Sequence, residues 1–133
     1  MNNIENQKLI CRYSEKSGIS IEGTLLAFKE FVEAFSKAEG LYNFQVPKGS
    51  ATPYARFLDQ ILLENGEGKL KICIKENRVI CSGEKRYLDI LVDNFLSLTQ
   101  QNHSKGLHFH IEYHPDHFFL DEKAEPILLE RIN

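Results

Sequence analysis

All five histidines of the 133-residue chain fall within a single window, from residue 103 to residue 117. Two of them, His108 and His110, alternate with apolar residues, and Glu112 is next in the series. In a β-strand these side chains share one face, with about 6.6 Å between neighbours, so two imidazoles could converge on one ion. Neutral imidazole binds zinc, copper, iron and nickel. The predicted metal ligands, with zinc as the possible cofactor, are His108, His110, His114 and His117.

The same polar strand face could instead contact another protein, and this is the interpretation that we favour. A His-x-His pair on a half-buried strand is often only solvated or hydrogen-bonded. An adjacent Phe-Phe pair in a polar loop could anchor an interface, or it could fold back into the core. The predicted partner contacts are His108, His110, Glu112, His117, Phe118 and Phe119. A homodimer joined through this face is an alternative, and His103 is predicted to be a helix-end residue.

The elements that must position these residues follow from periodicity and turn residues. Apolar residues at helical spacing predict two amphipathic helices, over residues 24–38 and 84–101. Alternation predicts strands over residues 9–13, 19–22, 69–75, 78–81, 107–113 and 127–132, with 41–46 as a further candidate. Residues 56–64 fit either a helix or a strand, and we prefer a strand because a loop typical of hairpins follows directly. The Asn-Gly-Glu-Gly sequence at 65–68 is typical of a hairpin loop, and no internal sequence repeat is evident.

These elements predict an α+β fold in one domain spanning residues 1–133. We expect a two-layer sandwich in which a mainly antiparallel sheet of about six or seven strands carries both helices on one face. The other face of the sheet could then remain open as a functional surface.

Composition narrows the classes of function. The chain has a formal net charge of −3 and an isoelectric point of about 5.9, which argues against nonspecific nucleic-acid binding. No signal peptide or membrane-spanning stretch is evident, so we expect a cytoplasmic protein. The three cysteines (Cys11, Cys73 and Cys81) lack metal-ligand spacing and are interpreted as reduced thiols. A nucleophilic pair of Cys73 with His108 or His110 is a weaker alternative.

The C-terminal part of the chain resembles a known family. The run from His108 to His117, followed by Leu120 and by Glu125-Pro126-Ile127, resembles the C-terminal signature of immunity protein 32, a family of bacterial polymorphic-toxin systems. The turn at residues 80–83 (Ile-Cys-Ser-Gly) is also similar, and the resemblance covers about residues 56–132. The chain departs from the pattern at Ala124, where serine is expected, and at Ile127, where leucine is expected.

The resemblance implies a cytosolic protein that binds and blocks a cognate toxin. Such a protein needs a complementary surface and no catalytic residues, so we expect it not to be an enzyme. The alternative is a small zinc-binding protein or metal-dependent enzyme that uses the strand bearing His108 and His110.

Overall fold

The computed structural model describes residues 7–37, 39–100 and 107–132. Its described part contains two helices and nine strands. In chain order these are β1 (Ile10–Ser14), β2 (Gly18–Gly23), α1 (Leu25–Ala34), β3 (Gly40–Asn43), β4 (Arg56–Leu58), β5 (Gln60–Asn65), β6 (Lys71–Lys75), β7 (Arg78–Gly83), α2 (Lys85–Ser97), β8 (Leu107–Ile111) and β9 (Ile127–Arg131). The strands form a five-stranded sheet, in the order β4-β1-β2-β9-β8, and a four-stranded sheet, in the order β3-β5-β7-β6.

Each of the two sheets contains strands from both halves of the chain. In the first half, the hairpin β1-β2 leads into α1 and then into the antiparallel pair β3 and β5. In the second half, β6-β7 leads into α2 and then into the antiparallel pair β8 and β9. The final pair of each half joins the hairpin of the other half, through the parallel pairings β2 with β9 and β5 with β7. The topology is therefore repeated although the sequence is not.

One hydrophobic core holds these parts together. The inward-facing residues of both sheets belong to a single buried cluster with the apolar stripes of the two helices. Between the helices, Phe31 stacks on Phe95 with ring centroids 4.2 Å apart. Phe31 also meets Tyr42 of β3 edge-on at 5.0 Å. These aromatic contacts join the helices to the four-stranded sheet.

Both helices begin directly after a strand that ends in glycine. Gly23 ends β2, and the next residue, Thr24, caps α1 because its hydroxyl accepts the Ala27 backbone N–H at 3.1 Å. Gly83 ends β7 in the same way, and α2 follows from Lys85. The predicted helices were longer than those observed. No described helix is long and apolar enough to cross a membrane.

The α+β class and the two helices are confirmed, but the prediction of a single sheet of about six or seven strands is wrong. The described residues form two mixed sheets, because β2 with β9 and β5 with β7 are parallel pairs. The predicted hairpin at residues 65–68 is also wrong. This segment connects β5 to β6, but β7 lies between those strands.

The predicted strand over residues 56–64 is two strands in different sheets. β4 pairs with β1, whereas β5 pairs with β3 and β7. Leu58 and Ile61 are both fully buried, which a straight strand cannot achieve because residues three apart point to opposite faces. The strand is interrupted at Asp59. Its backbone N–H donates to the Asn77 carbonyl, and its carbonyl accepts the Phe44 backbone N–H, each at 2.8 Å.

The glycines before the helices generate a prediction about stability. A Cβ at Gly83 would lie 2.8 Å from Leu70 Cδ2 and 3.1 Å from both Leu70 Cα and the Gly68 carbonyl oxygen. A Cβ at Gly23 would meet only the end of the Leu9 side chain closely, at 2.5 Å. Because backbone atoms yield less easily than a side-chain terminus, Gly83→Ala should destabilise the fold by about 1–3 kcal/mol and Gly23→Ala by less.

Urea unfolding of the two variants would measure this difference. The partly exposed neighbour Ser82 provides a control, because Ser82→Ala should leave the free energy of unfolding nearly unchanged. Equal losses for the two glycine variants would contradict the assigned packing.

Candidate functional site

The histidine-bearing strand is β8, which lies at one edge of the five-stranded sheet and pairs only with β9 in the described part of the chain. His108 and His110 are exposed on the outward face, opposite Glu130 and Leu128 of β9. Glu112 follows directly after the strand and is also exposed. The shared orientation that alternation predicts for His108 and His110 is therefore present, with their ring centroids 6.1 Å apart.

A tight turn follows β8 and reverses the chain. The His117 backbone N–H donates to the His114 carbonyl at 3.0 Å, with Pro115 and Asp116 between them. Asp116 has a φ of 67°, a conformation that aspartate adopts more readily than most residues. The His114 ring donates from Nδ1 to the Pro115 carbonyl at 3.0 Å, since a carbonyl oxygen can only accept. The turn thus fixes the tautomer of the exposed His114.

His117 is buried and organises the loop that follows the turn. Its Nδ1 accepts two backbone N–H groups, from Phe119 at 3.2 Å and from Leu120 at 3.0 Å. Nδ1 must therefore be unprotonated, and the neutral ring carries its proton on Nε2. The Lys69 ammonium donates to the His117 carbonyl oxygen. Of the two ring nitrogens, only Nε2 remains for a metal or a partner.

The loop joins the two sheets. Leu70, next to β6, donates its backbone N–H to the Phe119 carbonyl at 2.8 Å, and its own carbonyl accepts from Asp121 at 2.8 Å. Further along, the Glu125 N–H donates to the Ile72 carbonyl at 2.9 Å. The segment between β8 and β9 is thereby fixed to the four-stranded sheet, although both of those strands belong to the five-stranded sheet.

The two phenylalanines of the loop have different environments. Phe118 is 66% exposed, whereas Phe119 is 5% exposed and packs in the core. The Phe118 ring is nearly parallel to the His117 imidazole, with an angle of 4° between the ring planes and 5.6 Å between the centroids. It meets the Phe119 ring edge-on, with 5.0 Å between the centroids. Phe118 is therefore an exposed aromatic ring that packs against the rings of two buried residues, His117 and Phe119.

A shallow cleft connects the strand to the loop. Its lining includes His110, Glu112, His114 and Phe118 of the predicted region. It also includes two groups that the sequence did not indicate, Asn94 of α2 and Phe109. Alternation assigned Phe109 to the core face, but it stays 36% exposed because β8 is an edge strand. The sequence around Asn94 or Lys69 gives no sign that these residues approach the site, because both are distant in sequence from β8 and from the loop that follows it.

The predicted metal ligands fall into two pairs. His114 and His117 have ring centroids 4.7 Å apart, and His108 and His110 form the other pair. Within residues 7–37, 39–100 and 107–132, no three His, Cys, Asp or Glu side chains are grouped so that they could hold a metal ion. His103 lies outside the described residues. The arrangement thus offers imidazole pairs and no three-ligand set in the described part of the chain.

The cysteines are separated from this site. Cys11 and Cys81 are buried, and burial raises the pKa of both thiols. Cys73 is exposed, but it belongs to the four-stranded sheet, whereas His108 and His110 belong to the five-stranded sheet. The alternative of a Cys73–histidine pair requires both residues on the same face of one sheet, which this topology does not provide.

A comparison with known protein families gives a match for the C-terminal segment of the chain. Residues 78–132 match the family model of immunity protein 32. For this segment the match confirms the resemblance to an immunity protein family that the sequence indicated, although it begins at β7 rather than near residue 56. No curated protein and no solved structure gives a significant match to the chain.

The surroundings of His117 generate a prediction about pH. Burial, then the neighbouring His114, then Lys69 lower the pKa of His117 below its usual value of 6.5. Protonation of Nδ1 would also place its N–H against the backbone N–H groups of Phe119 and Leu120. Because the folded pKa is lowered, the stabilisation is present above about pH 6.5 and is lost as the pH falls towards the folded pKa.

We expect the free energy of unfolding to fall between pH 7.5 and pH 5 in the native protein. His117→Asn keeps an acceptor oxygen near the position of Nδ1 but does not titrate, so its decrease should be smaller. His117→Ala should lose about 1–3 kcal/mol at pH 7.5 because two buried N–H groups lose their acceptor. Urea unfolding across this range would measure these effects, and identical pH profiles for native protein and His117→Asn would exclude the assigned role.

Proposed function

Because residues 78–132 match the immunity protein 32 family, we propose that this protein binds and neutralises a cognate bacterial toxin in the cytoplasm of the cell that makes it. The binding site is the β8 surface, defined by the exposed side chains of His108, His110, Glu112, His114 and Phe118. Neutralisation requires only that the bound protein cover or distort the toxin's functional surface. The family match is the observation that carries this proposal.

The position of the β8 surface supports the assignment. All five of its residues lie within the matched segment, and all are exposed. The surface projects from two adjoining structures, an edge strand and a loop that is fixed to the other sheet. A partner could therefore contact the strand and the loop together rather than a single element.

Phe118 has the properties of an interface anchor. Aromatic residues dominate the binding energy of many protein interfaces when they enter a pocket on the partner. Phe118 is exposed, and the parallel ring of His117 beneath it restricts its orientation. An ordered side chain loses less conformational entropy on binding, so the buried His117 and Phe119 contribute by holding Phe118 in place.

The edge position of β8 supplies a second type of contact. In the described part of the chain, β8 has a neighbouring strand only on the β9 side. An unpaired strand edge presents backbone N–H and C=O groups that an extended segment of another protein can pair with. The imidazoles of His108 and His110 add donors and acceptors beside that edge.

Replacing the anchor gives the most direct test of this proposal. The measurement is the Kd between the purified protein and the toxin encoded by an adjacent gene, by calorimetry, together with survival of cells that produce both. Phe118→Ala should raise the Kd by about 30-fold or more, the effect typical of an anchor residue. His110→Ala should also weaken binding, by less.

Leu26→Ala is the matched control, since Leu26 is a large apolar residue that is 43% exposed on α1. It should leave both the Kd and protection unchanged. An unchanged Kd for Phe118→Ala would remove the β8 surface from the proposal. The absence of any complex with the adjacent toxin would refute the function itself.

A further inference from the structure

The outward side of the four-stranded sheet, here called the open face, is uncovered in the described part of the chain. Inward-facing residues of its strands, such as Ile61, Ile72 and Val79, are fully buried. None of the outward-facing residues of the same strands is buried. Neither helix therefore covers this face, and both pack on the inner side of the sheet.

The strand register places an apolar row across the open face. Leu41 of β3 pairs with Leu62 of β5, and Leu62 pairs with Ile80 of β7. Ile80 pairs in turn with Cys73 of β6. Leu41 is 46% exposed, Cys73 is exposed, and the two central residues are partly exposed. A continuous apolar stripe across all four strands is unusual on a sheet face that meets only water.

Charges at the two ends of this stripe have opposite sign. In the half of the face formed by β3 and β5 lie two exposed carboxylates, those of Glu39, directly before β3, and Glu64 of β5. Glu39 is held at that end, because its carboxylate accepts the Asn65 backbone N–H at 3.1 Å. On the β6 side lie two exposed ammonium groups, those of Lys71 and Lys75. The open face is therefore apolar in its middle, acidic at one edge and basic at the other.

From this pattern we propose that a second copy of the chain docks on the open face, with the two sheets stacked and related by a two-fold axis parallel to the strands. This axis places β6 of one copy over β3 of the other, and β7 over β5. The apolar row then covers its own counterpart, with Leu62 facing the partner copy's Ile80. Lys71 of each copy meets the carboxylates of Glu39 and Glu64 of the other, and such an isologous contact closes as a dimer.

The charges also select this orientation over the other two-fold arrangement. An axis perpendicular to the strands would place β6 over β6, so that Lys71 of each copy would face Lys75 of the other. Like charges in that position are unfavourable. Only the axis parallel to the strands brings Lys71 towards Glu39 and Glu64 of the second copy.

The size of the open face indicates how tight the dimer is. Four strands about 4.8 Å apart and about five residues long give a footprint of roughly 300 Å². This is well below the roughly 800 Å² that each partner buries in a standard stable interface. The dimer should be weak and should form reversibly as the concentration increases. It shares no residue with the β8 surface, so each copy could bind its toxin independently.

Sedimentation velocity on the full chain, from about 10 µM to about 1 mM, provides the first test. The sedimentation coefficient should increase with concentration, and Leu62→Ser should shift the monomer–dimer Kd at least about tenfold higher. Leu62 faces outward, so the urea unfolding midpoint of this variant should stay close to that of the native chain, which separates lost docking from lost folding. Phe118→Ala, on the β8 surface, is the control and should dimerise normally.

A charge-exchange experiment tests the orientation. Lys71→Glu places a carboxylate opposite Glu39 and Glu64 of the second copy, and Glu64→Lys places an ammonium group opposite Lys71, so each variant alone should dimerise at least about fivefold more weakly. An equimolar mixture should associate better than either variant alone, because opposite edges are again matched. A native chain that stays monomeric at 1 mM would overturn the dimer. A mixture no better than its components, or loss of the dimer in Phe118→Ala, would overturn the assigned interface.

Discussion

The parallel pairings of β2 with β9 and of β5 with β7 are the constraint on which the rest of the structure depends. Each pairing joins a hairpin from one half of the chain to two strands from the other half. Neither sheet can be completed by one half alone, and the inner faces of both contribute to one core. The cooperative unit is therefore the whole described chain, and the matched segment from residue 78 to residue 132 contains only part of each sheet.

The candidate site is a consequence of this exchange. After β8, the chain must cross to the four-stranded sheet and return as β9. The crossing segment has backbone N–H groups that no strand pairs, and the His117 imidazole accepts two of them. A buried histidine thus replaces the hydrogen bonds of a strand, and Phe118 is exposed because its neighbours on both sides are buried. The exposed ring and the buried imidazole are therefore linked, because the residue whose hydrogen bonds stabilise the loop also packs against Phe118.

The two proposed interfaces have different physical origins. The β8 surface combines an open strand edge, imidazoles and one supported aromatic ring, which suits recognition of a different protein through directional contacts. The open face has an apolar stripe between opposite charges, which suits a copy of itself. Because each sheet contributes one of these surfaces, a dimer of this protein would leave the residues of the proposed toxin-binding site uncovered.

The sequence by itself determined where most elements lie and which side chains share a face. Helical spacing and strict alternation depend on residues close together in the chain, so α1, α2, β6 and the orientation of His108 and His110 could be predicted. Sheet membership could not. Alternation shows which face of a strand is apolar, but the neighbouring strand is chosen through backbone hydrogen bonds that carry no side-chain signature. For this reason residues 56–64 were predicted as one strand, and the segment at 65–68 as a hairpin.

The burial of His117 was decided by tertiary structure for a related reason. A histidine beside Pro115 and Asp116 has the composition of a solvated loop, whereas in the fold His117 is buried and its carbonyl is contacted by the distant Lys69. The sequence thus specified the chemistry that is available near residue 117. The packing of one sheet against a loop from the other decided that Nδ1 holds the backbone, that Phe119 enters the core and that Phe118 faces outward.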